Sequence, residues 1–208
     1  MKKVSVSFLS SKNVVNDLID LEATNVDFIH VDVMDGKFVK NKNLPFKTLD
    51  RMSYVLKKRL DVHLMVKKPI KFIEKYATLN TEYITIHVEL GDSINECLDL
   101  IKSYGIKCGL AINPDTDVET LRDYLDKIDM ILVMSVVPGQ GGQSFIEETT
   151  MRIDKIKDMI KKRKIVINVD GGINENTIFK VSKADIVVSG SYIISKENFH
   201  DGIDTLRK

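Results

Sequence analysis

The sequence predicts a single-domain (β/α)8 barrel, of the TIM-barrel class, over residues 1–208. Short apolar runs rich in Val and Ile alternate eight times with polar, amphipathic stretches. This is the pattern of parallel strands that helices cover on the outside. A length of 208 residues fits the small end of the size range for this fold. Alternation does not show that the sheet closes, so a doubly wound open sheet is the alternative.

The apolar runs place the strands, and the stretches between them place the helices. The predicted strands are, in chain order, 3–9, 28–34, 61–66, 83–88, 107–112, 130–136, 164–170 and 184–190. Residues 93–105 and 146–164 have the clearest helical periodicity. The side chains expected on or near the buried face of the second helix are Ile146, Thr150, Ile153, Ile156, Met159 and Ile160.

Composition argues against several classes of function. The chain has 31 Lys plus Arg and 30 Asp plus Glu, so its charge does not favour nucleic acid or an anionic membrane as a partner. No apolar stretch approaches the ~18–20 residues that a bilayer span needs, and the N-terminal residues 1–13 are interpreted as a first strand, not a signal peptide. Cys97 and Cys108 are interpreted as buried thiols in a reducing cytoplasm.

Polar side chains interrupt three of the predicted strands near their C-terminal ends, where barrels of this class carry their active sites. Because side chains alternate along a strand, His30 and Asp32 share one face, and we expect them to converge with His63 and Asp170. Each could instead be a core polar residue with a hydrogen-bond partner. Together, two imidazoles and two carboxylates suit Zn²⁺, Fe²⁺, Mn²⁺ or Co²⁺. By spacing alone, His87 and Glu89 are rival ligands.

Glycine-rich segments follow the last three predicted strands. They are PGQGGQ (138–143), DGGI (170–173) and GS (190–191). Glycines let backbone N–H groups approach an anion closely, and barrels often bind phosphate after their seventh and eighth strands. A bare turn explains any one glycine pair, but three at consecutive strand ends predict a phosphate site. Residues 138–143 are also predicted to form a mobile lid.

These segments resemble the ribulose-phosphate 3-epimerase family. The matching pieces run through nearly the whole chain: SFLS (7–10), HVDVMDGKFV (30–39), DVHLMV (61–66), HVE (87–89), INP (112–114), VMSVVPGQGGQ (133–143), VDGGI (169–173) and GS (190–191). The resemblance implies interconversion of ribulose 5-phosphate and xylulose 5-phosphate, a step of the pentose phosphate pathway. It implies one divalent metal ion held by His30, Asp32, His63 and Asp170, with the two aspartates as acid and base. It also implies that His87 and Glu89 are not ligands.

The remaining predicted site residues contact the phosphorylated ketose. They are Ser7, Met34, His63, Met65, Met134, Gly139, Gln140, Gly141, Gly142, Gly171, Gly172, Gly190 and Ser191. The methionines could equally be ordinary core residues, and Ser7 an ordinary strand serine. Two alternatives for function remain: an epimerase of another ketose phosphate, such as allulose 6-phosphate, and a barrel that binds a phosphorylated ligand without turning it over. A homo-oligomer is expected, and His200 is interpreted as a solvated helix residue.

Overall fold

Eight parallel strands close into a barrel in the computed structural model, which describes residues 1–207. The barrel strands are β1 (Lys3–Ser7), β2 (Phe28–Asp35), β3 (Arg59–Met65), β4 (Thr81–His87), β5 (Lys107–Ile112), β6 (Met130–Met134), β7 (Val166–Asp170) and β8 (Ile186–Ser189). β8 pairs with β1 through Lys3 opposite Ile186 and Val4 opposite Val187, and this pairing closes the ring. The predicted barrel is therefore confirmed, and the open-sheet alternative is wrong.

Helices cover the outside of the barrel, although two of the eight connections contain no α-helix. The helices are α1 (Val14–Glu22), α2 (Phe46–Met52), α3 (Ile70–Ala77), α4 (Ile94–Ser103), α5 (Thr149–Ile160), α6 (Ser191–Ile194) and α7 (Phe199–Leu206). The connections after β5 and β7 use 3-10 helices, at Val118–Tyr124 and Ile178–Val181, and a third at Val88–Ser93 precedes α4. A short antiparallel strand, Lys42–Asn43, pairs with the end of β2. No helix within residues 1–207 has the length and hydropathy of a membrane span.

The helix predicted over 146–164 is shorter than its sequence pattern. The backbone N–H of Ile146 donates to the carbonyl of Ser135, so Ile146 belongs to the loop after β6 and not to α5. The helix ends before Lys161, whose φ of 51° is not helical. Thr149, and not the predicted Thr150, is fully buried, together with Ile153, Ile156, Met159 and Ile160.

The barrel places most apolar side chains between strands and helices, and few inside the ring. The largest core cluster includes Val31, Val33 and Val62, which alternate with the inward-facing polar residues of β2 and β3. Inside the ring, Phe28, Tyr83, Met130 and Ile186 form a cluster near the N-terminal ends of the even-numbered strands. This cluster fills the bottom of the barrel interior, below the polar side chains of its middle and top. Cys97 and Cys108 are buried and free.

Candidate active site

Four side chains converge near the top of the barrel from β2, β3 and β7. His30, Asp32, His63 and Asp170 each offer one ligand atom, and these atoms all lie within 4.8 Å of one another. His30 Nε2 lies 3.6 Å from both the Asp32 Oδ1 and the Asp170 Oδ2 atoms. His63 Nδ1 lies 3.8 Å from the same Asp32 atom and 3.5 Å from the same Asp170 atom. The sequence-predicted set therefore meets at one point, with two nitrogens facing two carboxylate oxygens.

A buried carboxylate beneath the cluster orients His30. The Nδ1 atom of His30 lies 2.9 Å from Oδ2 of Asp61, and the same oxygen accepts from Ser5 Oγ at 3.0 Å and from Asn168 Nδ2 at 3.1 Å. A carboxylate is acceptor-only when ionised, so Nδ1 of His30 carries the proton in this contact. The other ring nitrogen, Nε2, is therefore the one that faces the carboxylates of the cluster.

His63 is oriented from the opposite side, by a second histidine. Its Nε2 atom lies 2.8 Å from Nε2 of His87, and Nδ1 of His87 lies 3.0 Å from Oε2 of Glu89. Two buried side-chain atoms of the cluster, His30 Nε2 and His63 Nδ1, have no hydrogen-bond partner among the described residues. Buried polar atoms are rarely left without a partner, so both nitrogens are poised to bind something that the cluster admits.

The charges of the cluster shift the pKa values of its members. Burial lowers the pKa of His30, but the carboxylates of Asp61 and Asp32 outweigh burial and raise it well above its usual value. Burial likewise lowers the pKa of His63, but the nearby carboxylates of Asp170 and Asp32 outweigh burial and raise it. Burial would raise the pKa of Asp32, but the adjacent His30 and His63 hold it far below its ordinary range. The site therefore stabilises positive charge on its two imidazoles and negative charge on Asp32.

The two aspartates of the cluster reach the cavity from different strands. Asp32 accepts a hydrogen bond from Ser7 Oγ at 2.6 Å, so the hydroxyl predicted to contact substrate contacts this carboxylate. Asp170 ends β7, and its carbonyl accepts from Ser135 N–H at 2.8 Å, which joins it to the end of β6. Both carboxylates line the open cavity above the cluster. They are therefore accessible to a bound small molecule.

The cavity above the cluster has a volume of about 540 Å³ and takes in most of the predicted substrate residues. Its lining includes the predicted residues Ser7, Met34, Met65, Met134, Gly139, Gln140, Gly141, Gly142, Gly171, Gly172, Gly190 and Ser191. His63 was predicted to touch substrate, but it is fully buried and does not line the cavity. Among the described residues, the lining contains no Lys or Arg, so an anion there would meet backbone amides and hydroxyls.

Close backbone packing explains two of the cavity glycines. Gly171 has a φ of 116°, and a Cβ built there would lie 2.3 Å from a methyl carbon of Val136. Gly172 has a φ of 63°, and a Cβ there would lie 2.7 Å from the backbone nitrogen of Phe145. Only glycine is compatible with both the positive φ and the close approach. The loops after β6 and β7 therefore pack tightly together at the cavity wall.

Sequence reasoning missed several residues of this site. Asp61 lies two positions before His63, so β alternation alone could have placed its side chain inside the barrel. His87 and Glu89, the rival ligands, do not belong to the four-residue cluster, yet they contact one of its members. Glu175 and Tyr192 also line the cavity, joined by a 3.0 Å hydrogen bond. They lie in loops and short helices, where no periodicity marks them. His200, interpreted as solvated, is exposed at the start of α7.

The cluster fits a divalent cation on its own chemistry. Two partnerless imidazole nitrogens and two carboxylate oxygens form a mixed N/O donor set, which suits first-row divalent metals. The second nitrogen of each imidazole contacts a side chain outside the cluster, as metal-ligating histidines usually do. These residues could therefore hold one divalent ion.

Comparisons with known proteins agree with the geometry. The Ribulose-phosphate 3 epimerase family matches residues 3–194 of this chain. A protein named ribulose-phosphate 3-epimerase from Helicobacter pylori strain J99 is 39% identical, over 88% of this chain and 87% of that protein. One of the same name from Bacillus subtilis strain 168 is 34% identical, over 100% of this chain and 99% of that protein. The solved structure of 3-hexulose-6-phosphate synthase from Salmonella typhimurium has a TM-score of 0.72, covering 98% of this chain and 96% of that one, at 16% identity. That last likeness supports the fold alone.

Proposed function

The chain belongs to the ribulose-phosphate 3-epimerase family, and from that premise we propose how it interconverts D-ribulose 5-phosphate and D-xylulose 5-phosphate. The two sugars differ only in configuration at C3, next to the ketone. The reaction therefore removes the C3 proton from one face and returns a proton on the other. The observation that carries this mechanism is the pair Asp32 and Asp170, which arrive from different strands at one cavity.

We assign the two proton transfers to these aspartates. One carboxylate removes the C3 proton. The other carboxyl group, in its protonated form, donates its own proton to the opposite face of C3. Two carriers suit the task, because a single side chain does not easily reach both faces of one carbon. Which aspartate is the acid depends on the direction of reaction. The Ser7 hydroxyl, 2.6 Å from Asp32, would help to hold that carboxylate in place between turnovers.

Removing a proton beside a ketone leaves negative charge that spreads onto the ketone oxygen. One divalent ion, held by His30, Asp32, His63 and Asp170, would act as a Lewis acid toward the substrate oxygens. The partnerless nitrogens His30 Nε2 and His63 Nδ1 support this assignment. Met34, Met65 and Met134 line the cavity beside the cluster, and their apolar side chains would keep water away from the reacting carbon.

The phosphate would be held by backbone N–H groups at Gly141–Gly142, Gly171–Gly172 and Gly190–Ser191. The support is the composition of the cavity wall, in which these glycine pairs recur and no Lys or Arg is present among the described residues. Backbone amides suit a dianion, since they donate hydrogen bonds without bringing a mobile side chain. The sugar would then lie between the glycine loops and the acidic cluster. The cytoplasmic location and the homo-oligomer remain predictions.

Solvent isotope exchange tests the mechanism directly. In D₂O with a divalent metal, ribulose 5-phosphate should give xylulose 5-phosphate that carries deuterium at C3, and NMR measures both the conversion and the label. Allulose 6-phosphate, assayed in parallel, should turn over much more slowly. Faster turnover of allulose 6-phosphate would instead assign the site to that sugar. Absence of exchange and turnover with both sugars would contradict the two-aspartate mechanism.

A further inference from the structure

A line of three side chains connects the metal cluster to the rim of the barrel. His63 contacts His87 through their Nε2 atoms at 2.8 Å, and His87 contacts Glu89 through Nδ1 at 3.0 Å. Both imidazoles are fully buried, and their rings are stacked with centroids 4.9 Å apart. The ring of Phe38, 4.6 Å from that of His87, packs on the same histidine. The cation-binding role proposed above involves only the first of these residues.

The donors and acceptors along this line of side chains fix which residue donates each hydrogen bond. Glu89 is acceptor-only when ionised, and its other oxygen, Oε1, already accepts from Asn113 N–H at 2.8 Å and from Thr116 Oγ1 at 2.6 Å. Nδ1 of His87 must therefore donate to Oε2. A neutral His87 then has only Nε2 left as an acceptor, so the Nε2 atom of His63 must donate to it. The ring nitrogen of His63 that remains for a cation is then Nδ1, the atom that faces Asp32 and Asp170.

We propose that Glu89 is a positioning residue for the metal site, which acts through His87 to hold His63 in the Nε2–H tautomer and so keeps Nδ1 free for the cation. This inference rests on the proposed metal site. It gives His87 and Glu89, which spacing alone made rival ligands, a role outside the cluster. Two geometric features favour a neutral His87: its ring is fully buried, and the ring of Phe38 packs on it.

Glu89→Gln is the informative substitution, because it preserves size and changes the proton pattern. The amide oxygen of glutamine would face the two donors, Asn113 N–H and Thr116 O–H, and its NH₂ group would then face His87 Nδ1. A donor at that point favours a proton on His87 Nε2, which in turn favours a proton on His63 Nδ1, at the cation position. We expect the dissociation constant for Zn²⁺ to rise about 10- to 100-fold, as for other residues that support metal ligands.

The experiment combines metal binding with a tautomer measurement on the full chain. Competition with a chromophoric chelator gives the Zn²⁺ dissociation constant, and ¹H–¹⁵N NMR of the four histidines shows which nitrogen of His87 is protonated. Wild-type protein should show His87 protonated at Nδ1, and Glu89→Gln should move that proton toward Nε2. Glu82→Gln is the matched control: Glu82 lies on β4, the strand just before Glu89, but pairs with Arg59 and Lys107, so both readouts should match wild type.

The outcomes separate this inference from the function it rests on. A wild-type chain that binds no Zn²⁺ would contradict the metal site. Normal Zn²⁺ binding by wild type, combined with an unchanged dissociation constant in Glu89→Gln, would overturn the positioning role. Should circular dichroism show that Glu89→Gln does not fold, the wild-type ¹H–¹⁵N NMR spectrum alone tests the proposal. A proton on Nε2 of His87 would mean that the hydrogen bonds run in the opposite direction, which refutes the proposal.

Discussion

The two aspartates at the cavity, Asp32 and Asp170, should each be required for turnover. Asp32 and Asp170 line the cavity and share the cluster with His30 and His63. We expect Asp32→Asn and Asp170→Asn each to lower kcat by about 10²- to 10⁴-fold, since each removes the proton carrier for one face of C3. Steady-state kinetics on metal-loaded protein measures the loss. The exposed Asp99→Asn, on α4, is the control and should retain wild-type kcat.

Near-normal turnover by either aspartate variant, with full metal content by elemental analysis, would exclude the two-carrier assignment. Metal content must be measured, because both aspartates also belong to the candidate ligand set. A variant that loses both metal and activity is therefore compared again at saturating metal. This comparison separates the loss of proton transfer from the loss of binding.

The free energy of unfolding should depend on pH through the carboxyl group of Glu89. Burial alone would raise its pKa, but hydrogen bonds from His87, Thr116 and Asn113 lower it to about 2, from a reference of 4.5. A carboxyl with a depressed folded-state pKa stabilises the fold above its unfolded pKa, and this stabilisation is lost as the pH falls from about 4.5 to about 2. The carboxylate is partly exposed and screened by solvent, so we expect a contribution of roughly 1 kcal/mol.

Urea unfolding of wild type and Glu89→Gln at a series of pH values measures that contribution. The difference in unfolding free energy should be largest near pH 6 and shrink toward pH 3. A difference that stays constant with pH would show that the glutamine acts through packing and not through the charge. Metal-free protein is used for both chains, so that ligand binding does not contribute to the comparison.

At the scale of elements, the loop 138–143 after β6 is expected to bind phosphate by its backbone. Gly142 and Gly105 share a positive φ, 74° and 70°, and no atom lies within 4 Å of a Cβ built at either one. Alanine should therefore cause similar strain at both positions, while only Gly142 lines the cavity. We expect Gly142→Ala to raise KM for the sugar phosphate several-fold, and Gly105→Ala to leave it unchanged.

Equal KM values for the two alanine variants would argue against phosphate binding by this loop. Gly172 is a poorer position for the same test. A Cβ there would lie 2.7 Å from the backbone of Phe145, so a larger residue would disturb the loop itself. A loss of activity in such a variant would report strain as readily as lost contacts with phosphate.

For the whole molecule, metal binding should couple to stability. The candidate ligands come from β2, β3 and β7, which lie far apart in the chain, so an ion that they share would bind only the closed barrel. Free metal at about 1,000 times its Kd should raise the unfolding free energy by about 4 kcal/mol. Thermal unfolding before and after chelation, and after Zn²⁺ is added back to that free concentration, measures the effect on Tm.

Activity should follow the same cycle of chelation and restoration, with one divalent ion per chain by elemental analysis. His30→Gln should weaken the response of Tm to metal, whereas the exposed His200→Gln should leave it intact. Full activity in protein shown to contain no metal would rule out the metal-dependent mechanism.

The sequence alone determined the eight strands and the polar residues near the C-terminal ends of three of them. These features follow from local periodicity, since buried strands and inward-facing side chains repeat at short, regular intervals. Helix ends were less predictable: Ile146 has a helical pattern, yet its N–H bonds to the end of β6 instead. A non-local hydrogen bond thus overrode the local preference.

Only the tertiary structure decided which polar residues support the cluster. Asn168 and Asp61 are 107 residues apart in sequence but joined by a hydrogen bond inside the barrel. His87 and Glu89 could be ligands by spacing. The register of β4 against β3, however, places Thr85 opposite His63, and His87 becomes a hydrogen-bond partner of His63. Closure and strand register depend on every pair of strands at once, so contacts across the barrel cannot be deduced from the spacing within any one strand.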